Sequence, residues 1–298
     1  MNTVAEHPSR SRDREALPEP PNPLGLDGIE FIEYATLRPQ ALGQVLEQLG
    51  FRPVARHRSR EVTLYRQGGM NLVVNADPDD ARASATEGGH PVLSAVAFRV
   101  RDARLAHARC VELGAWATPA RAQAMELNIP GIQGPGGSHF FFVDRYRDFS
   151  IYDIDFLPIP TVDPQPPAVA GTAYFGVVQY IGLDRAPEWI AFYNRMFGFT
   201  EIPDERRFGI MPAGKLMHSP CRRFMWQLIE PASLDLEDRR ERLQRVGIGS
   251  PDVGAAVAAL RQRGVQFVDS AQLHPEDRGA LTLPQLGAVA FELVHADS

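Results

Sequence analysis

Glu292 offers the clearest chemistry in the chain. In the run AVAFELV (288–294), strand alternation puts its carboxylate on one face with Ala288 and Ala290. Val289, Phe291 and Leu293 take the other face. On the inner side of a sheet, a carboxylate between alanines has room for a ligand; on an edge strand it would be a solvated surface group. The other titratable candidates are eight histidines. His7 lies near the start, and His57, His90, His107 and His139 lie in the first half. His295, three residues past Glu292, falls on the opposite strand face. His218 and His274 are the histidines placed to reach the pocket of Glu292. No Ser-His-Asp or Cys-His arrangement is visible. GPGGS (134–138) has the glycines of a phosphate loop but no following helix with a lysine, so it reads as a hairpin turn. Tyr174, Phe175, Phe208, Phe224, Trp226 and Phe291 could stack on an aromatic ligand, or be plain core.

The elements that must position these groups come from an internal repeat. Four segments read as a short amphipathic helix ending at a glycine and entering a strand: 39–54, 102–118, 186–202 and 252–268. The glycines are Gly50, Gly114, Gly198 and Gly264, spaced 64 apart in the first pair and 66 in the second. Strand-like runs precede each helix (GIEFIEYAT, LSAVAFRV, AYFGVVQYIG, LQRVGIG). Further runs follow: EVTLYRQ, MNLVVNA, FFFVD, FSIYDIDF, RFGIM, RRFMWQLIE and AVAFELVH. The unit is βαβββ, built of short, antiparallel-compatible strands, two units to a domain. The fold class expected is α+β: two tandem domains, each a curled, half-open sheet around a cavity. A ferredoxin-like repeat with a filled core would fit the same pattern.

The first domain is placed at 22–157, a Pro-rich linker at 158–170 and the second domain at 171–298. Residues 1–21 are charged and Pro-rich, and are expected to be a mobile tail rather than a secretory signal. The 298 residues carry a net charge of −6 with 44% hydrophobic content. That excludes a disordered chain and argues against a nucleic-acid binder. No apolar run is long enough for a membrane helix. Cys110 and Cys221 alone do not make a disulfide scaffold, so a cytoplasmic protein is expected.

Longer words in the sequence carry a resemblance. NPLGLDGIEFIEYAT (22–36), RHRSREVTLYRQGGMNLVVNADP (56–78), MELNIPGIQGPGGSHFFFVDRY (125–146) and SIYDIDF (150–156) resemble the N-terminal domain of bacterial 4-hydroxyphenylpyruvate dioxygenases. EWIAFYNRMFGFTEI (188–202), GIMPAGKLMHSPCRRFMWQLIEP (209–231) and GAVAFELV (287–294) resemble the second domain more loosely. The paired units are those of the vicinal-oxygen-chelate superfamily. The resemblance implies an iron(II) oxygenase acting on an aromatic 2-oxo acid, with iron on two histidines and one carboxylate. It also implies a metal-free first domain used for folding and subunit contact, a homodimer or higher homo-oligomer, and a further C-terminal helix.

Glu292 stands at the family's carboxylate position. Gly176 and Arg245 stand where its histidines are expected, and neither strand holds a histidine. Arg245 is therefore expected either to pair with Glu292 as a candidate catalytic pair or to grip the carboxylate of a ligand, unless it belongs to the charged surface run LEDRRERLQR. Gln179, His218, Trp226, Gln227 and Phe291 are the candidate substrate contacts. The reading that follows is a divergent, iron-free relative binding or transforming a small aromatic or 2-oxo acid, with no cofactor, no nucleic acid and no membrane partner. The alternatives are an active Fe(II) dioxygenase with ligands elsewhere, and a non-catalytic dimerising partner.

Overall fold

A computed structural model describes residues 21–78, 89–119, 122, 126–203, 214–230, 240–269 and 279–296. RFGIM (207–211), Phe208, His7 and His274 lie outside the described residues. Two mixed sheets form. The first holds β1 (Ile29–Ala35), β2 (Arg52–His57), β3 (Val62–Gln67), β4 (Met70–Asn75), β5 (Val92–Arg99), β6 (Gly131–Gln133), β7 (His139–Val143) and β8 (Phe156–Pro158), in the order β6-β7-β5-β1-β4-β3-β2-β8. The second holds β9 (Ala173–Tyr180), β10 (Thr200–Glu201), β11 (Lys215–His218), β12 (Met225–Ile229), β13 (Arg242–Ser250), β14 (Gly279–Leu281) and β15 (Phe291–His295), in the order β10-β11-β12-β9-β13-β15-β14. Both are curled and neither closes.

The four repeat helices are α1 (Pro39–Gln48), α2 (Ala103–Glu112), α4 (Ala186–Phe197) and α5 (Val253–Gln262). They start in alternate ways. Proline opens the first turn of α1 and α4. Asp102 and Asp252 cap α2 and α5 by accepting from the Leu105 and Ala255 amides at 2.8 Å. All four expected glycines have positive φ, between 75° and 101°.

Two expectations are corrected. In each unit the first strand pairs in parallel with the last: β1 with β4, β5 with β7, β9 with β12 and β13 with β15. The intervening helix is the crossover that parallel pairing requires. FSIYDIDF is not one strand. A one-turn helix, α3 (Tyr152–Asp155), precedes β8. Asp153 causes it, accepting from the Ser150 amide and hydroxyl at 2.7 and 2.8 Å and so favouring a helical turn over an extended chain.

The duplication reaches the registers. Antiparallel β1–β5 skips a residue at Glu30 and at Ser94; β9–β13 skips at Phe175 and Gln244, the equivalent places. The helix-side faces of both sheets share one core. Phe98 and Phe140 of the first sheet meet Phe224 and Trp226 of the second at ring-centroid distances of 5.6 to 6.2 Å. GPGGS is the hairpin turn expected between β6 and β7, and it docks on the second sheet. A Cβ on Gly136 (φ 61°) would overlap the Glu241 carbonyl oxygen. Gly136→Ala is expected to cost of order 1–3 kcal/mol, combining left-handed backbone with that clash. Urea unfolding checks this; an unchanged midpoint means the turn does not touch Glu241. Among the described residues no helix is long and apolar enough to cross a membrane.

Candidate functional site

Strand register decides which side chains share the inner face of the second sheet. Gly247 of β13 lies beside Gly176 of antiparallel β9 and Glu292 of parallel β15. Arg245, two residues before Gly247, points to the same side as Glu292, while Val246, Phe291 and Leu293 enter the shared core. Arg245 and Glu292 are both nearly fully buried, and Arg245 Nε donates to Glu292 Oε2 at 3.1 Å. Arg245 is thus turned inward against Glu292 and not toward solvent. Arg245 Nη1 reaches the Tyr180 hydroxyl at 3.5 Å, a marginal bond. Nη2 is buried with no partner.

Burial pushes the Glu292 carboxyl above its ordinary value, and Arg245 pulls it back only in part. Glycine lets neighbouring side chains come close to the carboxylate. A Cβ on Gly247 would stand 3.3 Å from the Phe175 ring and 3.4 Å from Glu292 Oε1. Phe175, the extra residue of the β9 irregularity, is thus the side chain that this strand brings next to the carboxylate. Gly176 is not a vacant ligand position, because a Cβ there would overlap the Met225 carbonyl.

The other candidates divide by face. Gln227 and His218 alternate with the core residues Leu228, Trp226 and Met217, and so lie on the inner side with Arg245. β11, which carries His218, is three strand spacings from β13, roughly 14 Å of backbone. Burial and the nearby Arg222 lower the His218 pKa, and its Nδ1 is buried without a partner. Gln179, Trp226 and Phe291 are not brought to the pair. Gln179 is fully buried on the helix side, where its Oε1 accepts from Tyr193 (2.6 Å) and Trp226 (3.0 Å). Phe291 faces Tyr34 of the first sheet, 6.4 Å between ring centroids. Each sits an odd number of residues from an inner-face position, and the two-residue period sends it into the core. Tyr180 and Phe175 are the site residues that single-strand reasoning did not place. Register shifts of β9 against β13 set their positions, and these carry no signal within either strand.

Family comparisons match this architecture. Residues 21–157 match the model for the N-terminal domain of hydroxyphenylpyruvate dioxygenase, and residues 177–284 match the glyoxalase/bleomycin resistance protein/dioxygenase superfamily. The 4-hydroxyphenylpyruvate dioxygenase of Pseudomonas aeruginosa is 33% identical over 274 residues, covering 86% of this chain and 75% of that protein.

The chain belongs to the 4-hydroxyphenylpyruvate dioxygenase family.

The enzyme of the same name from Pseudomonas sp. (strain P.J. 874) is 39% identical over 61% of this chain, but only 51% of its own length is covered. A 3-dehydroshikimate dehydratase of Pseudomonas aeruginosa is 31% identical over 89% of this chain, which spans 44% of that protein. A solved 4-hydroxymandelate synthase variant from Streptomyces coelicolor shares the fold, with a TM-score of 0.71 at 18% identity over 91% of this chain and 93% of that one.

A dioxygenase of this family is expected to hold iron on two imidazoles and a carboxylate. Among the described residues, the donor set around Glu292 does not fit. Its near neighbour is a guanidinium, which has no lone pair to give a metal. The described residues contain no grouping of three His, Cys, Asp or Glu side chains.

Proposed function

We propose that this chain is a divergent member of the 4-hydroxyphenylpyruvate dioxygenase family that binds a small aromatic or 2-oxo acid in its second domain without iron. The observation that carries the reading is Arg245 Nη2, a buried N–H group with no partner on a guanidinium already fixed through Nε. A planar guanidinium accepts two carboxylates on two edges. Glu292 occupies one edge, and a ligand carboxylate taking Nη1 and Nη2 satisfies the other. Phe175 flanks the ring, and Gln227 and His218 lie farther along the same face.

Glu292, held protonated more readily by its burial, is then a proton-holding group next to the acid. The chemistry this permits is proton transfer at a 2-oxo acid rather than oxygenation. A second acid on Arg245 favours the neutral form of Glu292 further, so ligand binding draws in a proton.

Calorimetry with 4-hydroxyphenylpyruvate and phenylpyruvate tests this on metal-free protein. Binding is expected in the native chain and at least tenfold weaker (about 1.4 kcal/mol) in the double variant R245M/E292L, which removes both charges together. Stoichiometric iron after anaerobic loading, with O2 uptake on 4-hydroxyphenylpyruvate, would establish the oxygenase reading instead. No binding by any such acid would leave the dimerising partner.

A further inference from the structure

The inner face of the first sheet is not filled. It encloses a cavity of about 410 Å³, within the roughly 300–1,000 Å³ typical of small-molecule sites. Phe31, Val73 and Phe141 form its apolar wall. A carboxyl stands at one end. Glu33 Oε1 accepts from the Ser94 hydroxyl at 2.8 Å and lies 3.4 Å from the Asn75 amide nitrogen. Glu33 Oε2 has no hydrogen bond from any described residue, and the side chain lines the cavity. Ser94 is the extra residue of the β1–β5 irregularity, so the register that places Arg245 in the second sheet places the Glu33–Ser94 contact in the first.

We propose that this cavity is a second ligand site, taking a small uncharged aromatic that carries a hydroxyl group. The ring lies against Phe31 and Phe141, and the hydroxyl bonds Glu33 Oε2.

The charges around the cavity disfavour an acid. Its lining carries Glu33, Glu126 and Asp155 against a single arginine, Arg60, among the described residues. That arginine is spent on Glu126, Nε to Oε1 at 3.1 Å and Nη2 to Oε2 at 2.5 Å. They disfavour an amine as well. Burial raises the Glu33 carboxyl above its ordinary value in spite of three lowering influences, Ser94, Asn75 and Arg60. A carboxyl whose neutral form is favoured by burial can both donate to and accept from a hydroxyl. A purely apolar ligand would leave Oε2 without water or partner. A domain serving only as scaffold has no use for a carboxyl, an amide and a hydroxyl converging on an open space.

Isotope-detected NMR titration of the full chain with p-cresol, toluene and benzylamine is the test. p-Cresol is expected to bind with shifts on β1 and β7, at least tenfold tighter than toluene and benzylamine. Glu33→Leu is expected to abolish the preference over toluene. Glu33→Gln, which keeps shape and hydrogen bonding, is expected to retain it, and so is R245M/E292L, whose changes lie in the other domain. The proposal is overturned by absence of p-cresol binding, by equal binding of toluene, or by tighter binding of benzylamine. It is overturned equally if the preference survives in Glu33→Leu or disappears in Glu33→Gln or R245M/E292L.

Discussion

Arg245→Met is expected to destabilise the protein by roughly 3–5 kcal/mol at pH 8, the usual cost of removing one partner from a buried ion pair. The substitution leaves Glu292 buried, with Phe175 and Gly247 beside it and no cation to meet it. The loss should depend on pH in a defined direction. The Glu292 carboxyl titrates above its ordinary value of 4.5 because burial outweighs the pull of Arg245. A carboxyl with a raised folded value contributes stability that is fully present below the unfolded value and lost as pH rises through the folded one. In Arg245→Met both lowering influences, the charge and the hydrogen bond, are gone. The folded value climbs further and the loss extends to higher pH. Urea unfolding at pH 5 and pH 8 should therefore show a small deficit at the lower pH and the full deficit at the higher. The double variant R245M/E292L should recover to near native stability or above it, since apolar replacement of a buried pair is often neutral or stabilising. Equal midpoints for Arg245→Met and the native chain at pH 8 would mean that the two groups are not buried together.

The second large effect is expected far from that pair. Trp226→Ala should cost roughly 3–5 kcal/mol, the range for deleting a large buried aromatic. Trp226 is fully buried and touches four rings, Phe98, Phe140, Tyr193 and Phe199, at centroid distances of 5.0 to 6.3 Å. Phe98 and Phe140 belong to the first sheet, so the cavity opens in the core that joins the two domains. Gln179 Oε1 keeps Tyr193 but loses its second donor. Because the core is shared, both domains should unfold in one transition at a lower denaturant midpoint. Because Trp226 faces away from Arg245, affinity for a 2-oxo acid should change less than tenfold. An unshifted midpoint, or a collapse of ligand affinity with stability intact, would move Trp226 back to the ligand side of the sheet.

The fold could be read from local patterns because the repeat restates it four times. Each helix carries its own stop signal, and Gly50, Gly114, Gly198 and Gly264 do take left-handed backbone. Between the two sheets, β8 ends at Pro158 and β9 starts at Ala173. FSIYDIDF departs from the strand its alternation predicts because Ser150 and Asp153 form a local hydrogen-bonded turn that outweighs the apolar alternation around them. The mixed pairing of the sheets was also hidden, since a strand does not announce the direction of its neighbour.

The sequence by itself determined the duplicated α+β scaffold, the family, the inner-face position of Glu292 and the absence of histidine from the two strands beside it. Those follow from side-chain period, helix-ending glycines and residue identity, which are properties of the chain taken a few residues at a time. Tertiary structure decided the rest: that Arg245 turns inward and meets Glu292, that Phe175 and not Gly176 stands beside the carboxylate, and that Gln179, Trp226 and Phe291 serve the core between the sheets. The physical reason is register. One residue skipped between paired strands moves a side chain from one face of a sheet to the other, and that choice is made by contacts between strands some 70 residues apart, not within either strand.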